Sequence, residues 1–225
     1  MGNSSSLPTR SLSLLRIPVG DKSVDVYADP VVTERENPGS EISVMNSEIK
    51  CPIDLEGGVV ALAVWPGAVD LVHNIDVDFS GKRVLELGCG VGLPGMFISK
   101  YCQPLEVVLT DRESARMGVE ASIVANNTQK ICRFEPFDWG SGKDLKAYST
   151  EVFDYIIGSE IVYAEEQDPL VNALLAVTCA SPATRIILSY RNRSESDEEY
   201  FNSKILVHFQ IEKRVSDRIF VLKKI

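Results

Sequence analysis

Val84-Leu85-Glu86-Leu87-Gly88-Cys89-Gly90-Val91-Gly92-Leu93-Pro94-Gly95 decides how this chain is read. The apolar run from Arg83 to Leu87 predicts a buried strand, and Met96 to Tyr101 predicts a helix. Between them, Gly88, Gly90, Gly92 and Gly95 leave bare backbone and a helix N-terminus at the strand's carboxyl end. A Cβ there would obstruct a ligand or forbid the backbone angles of the turn. The pattern points to a cofactor that carries adenosine.

Outward from this segment, strands and helices alternate. Strand 82–87 is followed by helix 93–102, strand 105–110, helix 113–127 and strand 131–136. Phe153 to Gly158 reads as the fourth strand, Asp168 to Ser181 as a helix and Arg185 to Ser189 as the fifth strand. Helix 195–206 precedes two last strands, 207–214 and 218–224, which Ser216-Asp217 joins too tightly for a crossover, so they pair antiparallel. Such alternation predicts an α/β fold: a Rossmann-like, seven-stranded, mostly parallel sheet with helices on both faces and a C-terminal antiparallel hairpin.

Upstream the pattern is weaker. Residues 1–13 read as a disordered polar terminus, and residues 14–60 as an extension of short strands and loops ahead of the main domain, 61–225. Leu14 to Val19 and Ser23 to Tyr27 suit a hairpin turning at Gly20-Asp21. Residues 28–57 carry Pro30, Pro38 and Pro52 and read as loops and edge strands. Pro66 suits the first turn of a helix running to about Ile75, where its missing N–H has no partner to lose. Met1-Gly2 with Ser6 fits an N-myristoylation pattern in form. Without a polybasic run, one acyl chain anchors poorly, so a plain polar terminus is the preferred reading.

Composition removes several functions. No apolar run approaches the roughly 18–20 residues that cross a bilayer. The five cysteines lack C-x-x-C spacing, and only His73 and His208 are histidines. A disulfide framework and a metal site are therefore not expected, and a reducing location, cytoplasmic with the nucleus as an alternative, is. A net charge of −9 argues against nucleic-acid partners. A monomer is expected.

Two cofactors compete for the glycine loop. Gly90-x-Gly92-x-x-Gly95 matches a dinucleotide fingerprint, and Asp111 stands about 20 residues on, where a carboxylate would meet a ribose. S-adenosyl-L-methionine presents the same ribose without a pyrophosphate. Three features favour it: Glu86 within the strand before Gly88, in which the segment resembles class I methyltransferases, the closing antiparallel hairpin, and Phe137-Asp138-Trp139, which offers an aromatic and an acid beside an adenine. Asp111 also has an alternative duty as N-cap of the next helix.

At this point the chain resembles a known family, the seven-strand protein lysine methyltransferases called methyltransferase family 16. The matching segments are Val64-Trp65-Pro66-Gly67-Ala68, Glu86 to Gly95, Leu109 to Arg112, Asp138-Trp139-Gly140 and Gly158-Ser159-Glu160-Ile161-Val162-Tyr163. The resemblance covers about Gly57 to the C-terminus. It implies S-adenosylmethionine contacts from Trp65, the Gly88-Cys89-Gly90 turn, Asp111, Trp139 and Ser159, with Glu86, Gly92 and Asp138 completing the cofactor set. Cys89 would offer backbone rather than thiol chemistry. The resemblance also implies a protein substrate of the chaperone, AAA ATPase or elongation factor class. One departure is that Glu160 stands where the family's D-x-x-Y motif has aspartate.

The expected reaction is in-line methyl transfer to a lysine amine, which must be uncharged although its pKa in water is about 10.4. Glu160 would orient that amine and relay its proton, and Tyr163 would wall the lysine channel. Glu160 also stabilises ammonium, so desolvation or a water exit is needed as well. Arg191-Asn192-Arg193 would grip an acidic substrate or simply lie in solvent. The alternatives are methylation of a small molecule or another side chain, and a non-catalytic adaptor that binds S-adenosylmethionine.

Overall fold

The computed structural model describes residues 9–52, 62–162 and 167–225. Strands β1 (Thr9–Val19) and β2 (Lys22–Ala28) form a hairpin, helix α1 (Pro30–Glu36) follows, and β3 (Ser43–Pro52) returns along β1. These three strands make a small antiparallel sheet in the order β2-β1-β3. Helix α2 (Pro66–Asn74) then leads into the alternating part: β4 (Arg83–Leu87), α3 (Leu93–Tyr101), β5 (Glu106–Asp111), α4 (Arg116–Ala125) and β6 (Cys132–Pro136). It continues through α5 (Gly142–Tyr148), β7 (Tyr155–Ser159), α6 (Gln167–Val177), β8 (Arg185–Ser189) and α7 (Glu195–Tyr200), and ends with β9 (Phe209–Arg214) and β10 (Ile219–Lys224).

The main sheet has seven strands in the order β6-β5-β4-β7-β8-β10-β9. Its first five strands are parallel, and β10 pairs antiparallel with both β8 and β9. The expected fold class is therefore the observed one.

Side-chain alternation sends each strand into two cores. Val84, Val107, Leu109, Ile157 and Ile187 pack with α2, α3 and α4, and with β1 and β2 beyond them. Leu85, Leu87, Val108, Ile156, Ile186 and Leu188 pack on the opposite face, against α6 and the α7 region. Glu86 lies on the α3 side, fully buried among these apolar strand residues. Among the described residues no helix is long and apolar enough to cross a membrane.

Three differences from the sequence reading have local causes. Thr9 to Ser13 are strand rather than disordered tail, because β3 supplies partners from Pro52 back to Glu48. Residues 30–36 are helix rather than loop. Asp29 caps them, its Oδ1 accepting from Val31 N and Val32 N at 3.0 Å each, with Pro30 in the first turn. The third is α5, begun by Ser141, whose Oγ accepts from Asp144 N. The N-terminal sheet is tied to the main domain by polar contacts: Tyr27 N donates to Ser122 Oγ at 2.8 Å and Tyr101 OH donates to Ser23 O at 2.6 Å.

Candidate active site

The carboxyl ends of β4, β5 and β7 meet at the glycine loop. Cys89 N donates to Thr110 O at 2.9 Å and Gly92 N to Cys89 O at 2.7 Å, which folds the loop back over β5. Gly88 has φ +59°, and a Cβ on it would come within 2.8 Å of Ile161 Cγ2 and 3.2 Å of the Trp139 ring. Only glycine fits there without displacing both neighbours.

Asp111 spans the loop mouth. Its Oδ2 accepts from Gly90 N and its Oδ1 from Arg112 N, both at 2.7 Å. Its carboxylate thus braces the loop instead of capping α4, which a separate 3₁₀ turn at Glu113–Ala115 precedes. Each oxygen keeps a second lone pair for a ribose hydroxyl. Burial raises the Asp111 pKa, against the two N–H bonds and the Arg112 charge.

Glu86 sits beneath the loop, fully buried. Its Oε2 accepts from Gly95 N at 2.7 Å in the first turn of α3, while Oε1 has no hydrogen bond. Burial pushes its pKa up to about 8, against the Gly95 bond and with the Asp111 charge adding to the rise. Glu86 therefore supports the loop from below, in the core rather than on the open side. Cys89 is also buried, and its thiol is held far above the usual range by burial first and by Asp111 and Glu86 next, so it stays protonated.

The Trp139 indole lies against Gly88, and its buried Nε1 has no hydrogen-bond partner. Asp138 is exposed, with Oδ1 accepting from Gly140 N at 2.9 Å. Ser159 ends β7 half-buried, and Tyr163 lies outside the described residues.

Glu160 follows β7 in a left-handed conformation, φ +57°. That conformation costs an ordinary residue about 1–2 kcal/mol. It is held by Glu160 N donating to Ser189 O at 2.9 Å and by the side chain's own contacts. The carboxylate is buried against Gly67 in the first turn of α2, where a Cβ would come within 2.5 Å of its Oε1. Arg193 Nη2 donates to Oε2, and Arg191 Nη2 lies 3.4 Å from Oε1. The Arg193 guanidinium lies over the Trp65 ring, 5.7 Å from its centroid. These arginines thus pair with Glu160 rather than lying unattached in a loop. Because they are 31 and 33 residues downstream of Glu160, no local sequence signal announces the pairing.

The loop, Asp111, Trp139 and Glu160 converge at one end of the sheet, next to the point where strand order reverses between β4 and β7. The donor set fits an adenosine-bearing cofactor: a glycine loop at the strand ends, a carboxylate with lone pairs left for a ribose, and an indole with an unsatisfied N–H beside Gly88. Fold and site together define a class I S-adenosylmethionine-dependent methyltransferase. A family model described as lysine methyltransferase matches residues 46–205. The chain belongs to that lysine methyltransferase family.

Among individual relatives, it is 33% identical to protein N-lysine methyltransferase METTL21A of Danio rerio over 76% of this chain and 79% of that one. It is 31% identical to EEF1A lysine methyltransferase 3 of Xenopus tropicalis, over 74% and 75%. A solved structure of similar fold is the Thermus thermophilus 16S rRNA N2 G1207 methyltransferase RsmC with AdoMet and guanosine, at TM-score 0.57 and 15% identity. That match covers 94% of this chain and half of the solved one, so this chain spans about half its length.

Asp111→Ala removes both the loop brace and the ribose acceptor. S-adenosylmethionine binding, read by calorimetry, is expected to weaken about 10- to 100-fold. Unchanged affinity would take Asp111 out of the cofactor site.

Proposed function

We propose that this methyltransferase modifies a lysine of a folded protein in the translation machinery, with elongation factor 1A the first candidate, and that Glu160 is the acceptor-side carboxylate. The observation that carries the reading of Glu160 is its place. It is a buried carboxylate in a strained backbone conformation, one residue before Ile161, whose side chain borders Gly88 of the cofactor loop. Strain of this kind persists where surrounding contacts over-determine it, commonly at functional sites. The elongation factor class is suggested by the Xenopus relative's name.

When bound, S-adenosylmethionine supplies an electrophilic methyl group, whose bond to sulfur breaks as the amine lone pair forms the new N–C bond. The chain aligns the partners. Asp111, the glycine loop, Trp139 and Trp65 fix the donor, Ser159 borders it, and Asp138 is assigned to the adenine edge. Glu160 orients the amine, and Tyr163 is assigned to the channel wall on the family motif. No metal ligand is needed for this displacement, since positioning and a neutral nucleophile suffice. We also place the protein in the cytoplasm as a monomer.

Purified elongation factor 1A and whole lysate protein, each incubated with tritiated S-adenosylmethionine and the enzyme, form the test. A band at the size of elongation factor 1A, resistant to nuclease and mapped to lysine by mass spectrometry, is the expected result. Label confined to other proteins would remove the elongation factor. Label only in small molecules would remove the protein substrate.

A further inference from the structure

The two arginines resolve a difficulty in the chemistry. A carboxylate alone beside the acceptor lysine favours ammonium, the unreactive form. Here Glu160 is not alone. Its side chain is 5% exposed, Arg193 is bonded to Oε2, and Arg191 stands 3.4 Å from Oε1. One negative and two positive charges leave the cluster with a net charge of +1.

The other charged groups around the cluster have partners of their own. On α2, Asp70 pairs with Arg218 at 3.1 Å and the His73 ring bonds to Val69 O. Glu198 of α7 is exposed, where solvent screens its charge, and accepts from Asn192 at 2.9 Å, while Asp197 is buried with interactions of its own. Asp111 and Glu86 are engaged by backbone N–H groups on the loop side. Tyr163, Glu165 and Glu166 lie outside the described residues. Among the described residues, Glu160 is the carboxylate that ion-pairs with either arginine.

Glu160 Oε1 is buried and accepts no hydrogen bond. It keeps a lone pair in a site whose net positive charge repels a further cation.

We propose that Arg191 and Arg193 are positioning residues of methyl transfer, which compensate Glu160 so that the site selects the neutral lysine amine and Oε1 accepts its N–H. The ammonium gives its proton to solvent on entering, and the amine lone pair is left free for the methyl group. Nearby cations favour the neutral form of a lysine amine in the same way elsewhere. The inference rests on Glu160 being the acceptor-side carboxylate, so the experiment separates the two.

Initial rates of tritium transfer from saturating S-adenosylmethionine to lysate protein are measured from pH 6 to 9.5, with calorimetry of cofactor binding alongside. Arg193→Gln is expected to move the alkaline rise in rate up by about one pH unit, a loss of about tenfold at neutral pH, with cofactor affinity unchanged. Arg191→Gln is expected to shift it in the same direction. Arg193→Lys keeps the charge without the planar fork, so it lowers the rate but leaves the rise where it was. Two glutamine variants whose rates fall equally at all pH values would overturn the inference while leaving Glu160 in place. Full activity in Glu160→Gln would instead overturn the acceptor-side reading itself. A thermal melt of each variant shows that the comparison is between folded proteins.

Discussion

Glu160→Gln is expected to lower methyl transfer by about 10²-fold or more while S-adenosylmethionine binding stays within a few-fold of the parent. Glutamine keeps the volume against Gly67 and still offers Arg193 an oxygen, so the backbone at φ +57° has no new reason to move. What disappears is the charge that fixes the two guanidinium groups and the second acceptor oxygen. Loss of alignment on the order of 1 Å is enough for about a 100-fold effect on a displacement of this kind. Single-turnover rates with saturating cofactor, set beside calorimetric affinity, read the two quantities separately. A variant that turns over at the parental rate would remove Glu160 from the reaction.

The second large effect concerns stability rather than rate. Glu86 has a folded-state pKa of about 8, against about 4.3 for an unfolded glutamate. The folded state therefore keeps a proton that the unfolded state releases. Stability from this residue is fully present below about pH 4.3, falls as pH rises through the interval up to about 8, and changes no further above it. Each pH unit in that interval costs about 1.4 kcal/mol, on the order of 5 kcal/mol in all. Glu86→Gln has nothing to titrate and can still accept from Gly95 N. Its melting temperature is expected to gain on the parent between pH 5 and pH 8, by on the order of 10 °C for a chain of this size. A difference in melting temperature that stays flat with pH would mean that Glu86 is ionised throughout.

The main sheet was legible in the sequence because its central strands carry a strong local signal. Val84 to Leu87, Val107 to Leu109 and Ile186 to Leu188 are continuous apolar runs, as strands buried on both faces require. The glycine loop and Asp111 were legible because their spacing is itself the mechanism of the turn. The N-terminal sheet was less so. Thr9-Arg10-Ser11-Leu12-Ser13 resembles a polar tail until β3 pairs with it, and that partner lies some 40 residues away. Helix α1 is short, and its cap, Asp29, lies in a polar stretch whose prolines signal loop. Within the site, the motif marked Glu160, but what surrounds Glu160 comes from three separate places: Gly67 in α2, and Arg191 and Arg193 after β8. Only folding brings a cation 33 residues downstream onto that carboxylate. Glu86 shows the same limit in another way, since the motif marks its position but not that its carboxyl faces α3.

The place of β10 in the main sheet has a bearing on synthesis. It lies between β8 and β9, and β9 has no other neighbour in the sheet. A ribosome that has delivered the chain as far as β9 has therefore produced a strand with nowhere to dock. Until Ile219 to Lys224 follow, the edge formed by Arg185-Ile186-Ile187-Leu188-Ser189 stands open, an apolar strand with unpaired backbone groups. In the finished sheet β10 closes that edge and β9 in turn covers β10. Between residue 189 and residue 224, therefore, a nascent chain carries an open apolar edge of the kind that invites strand-to-strand aggregation.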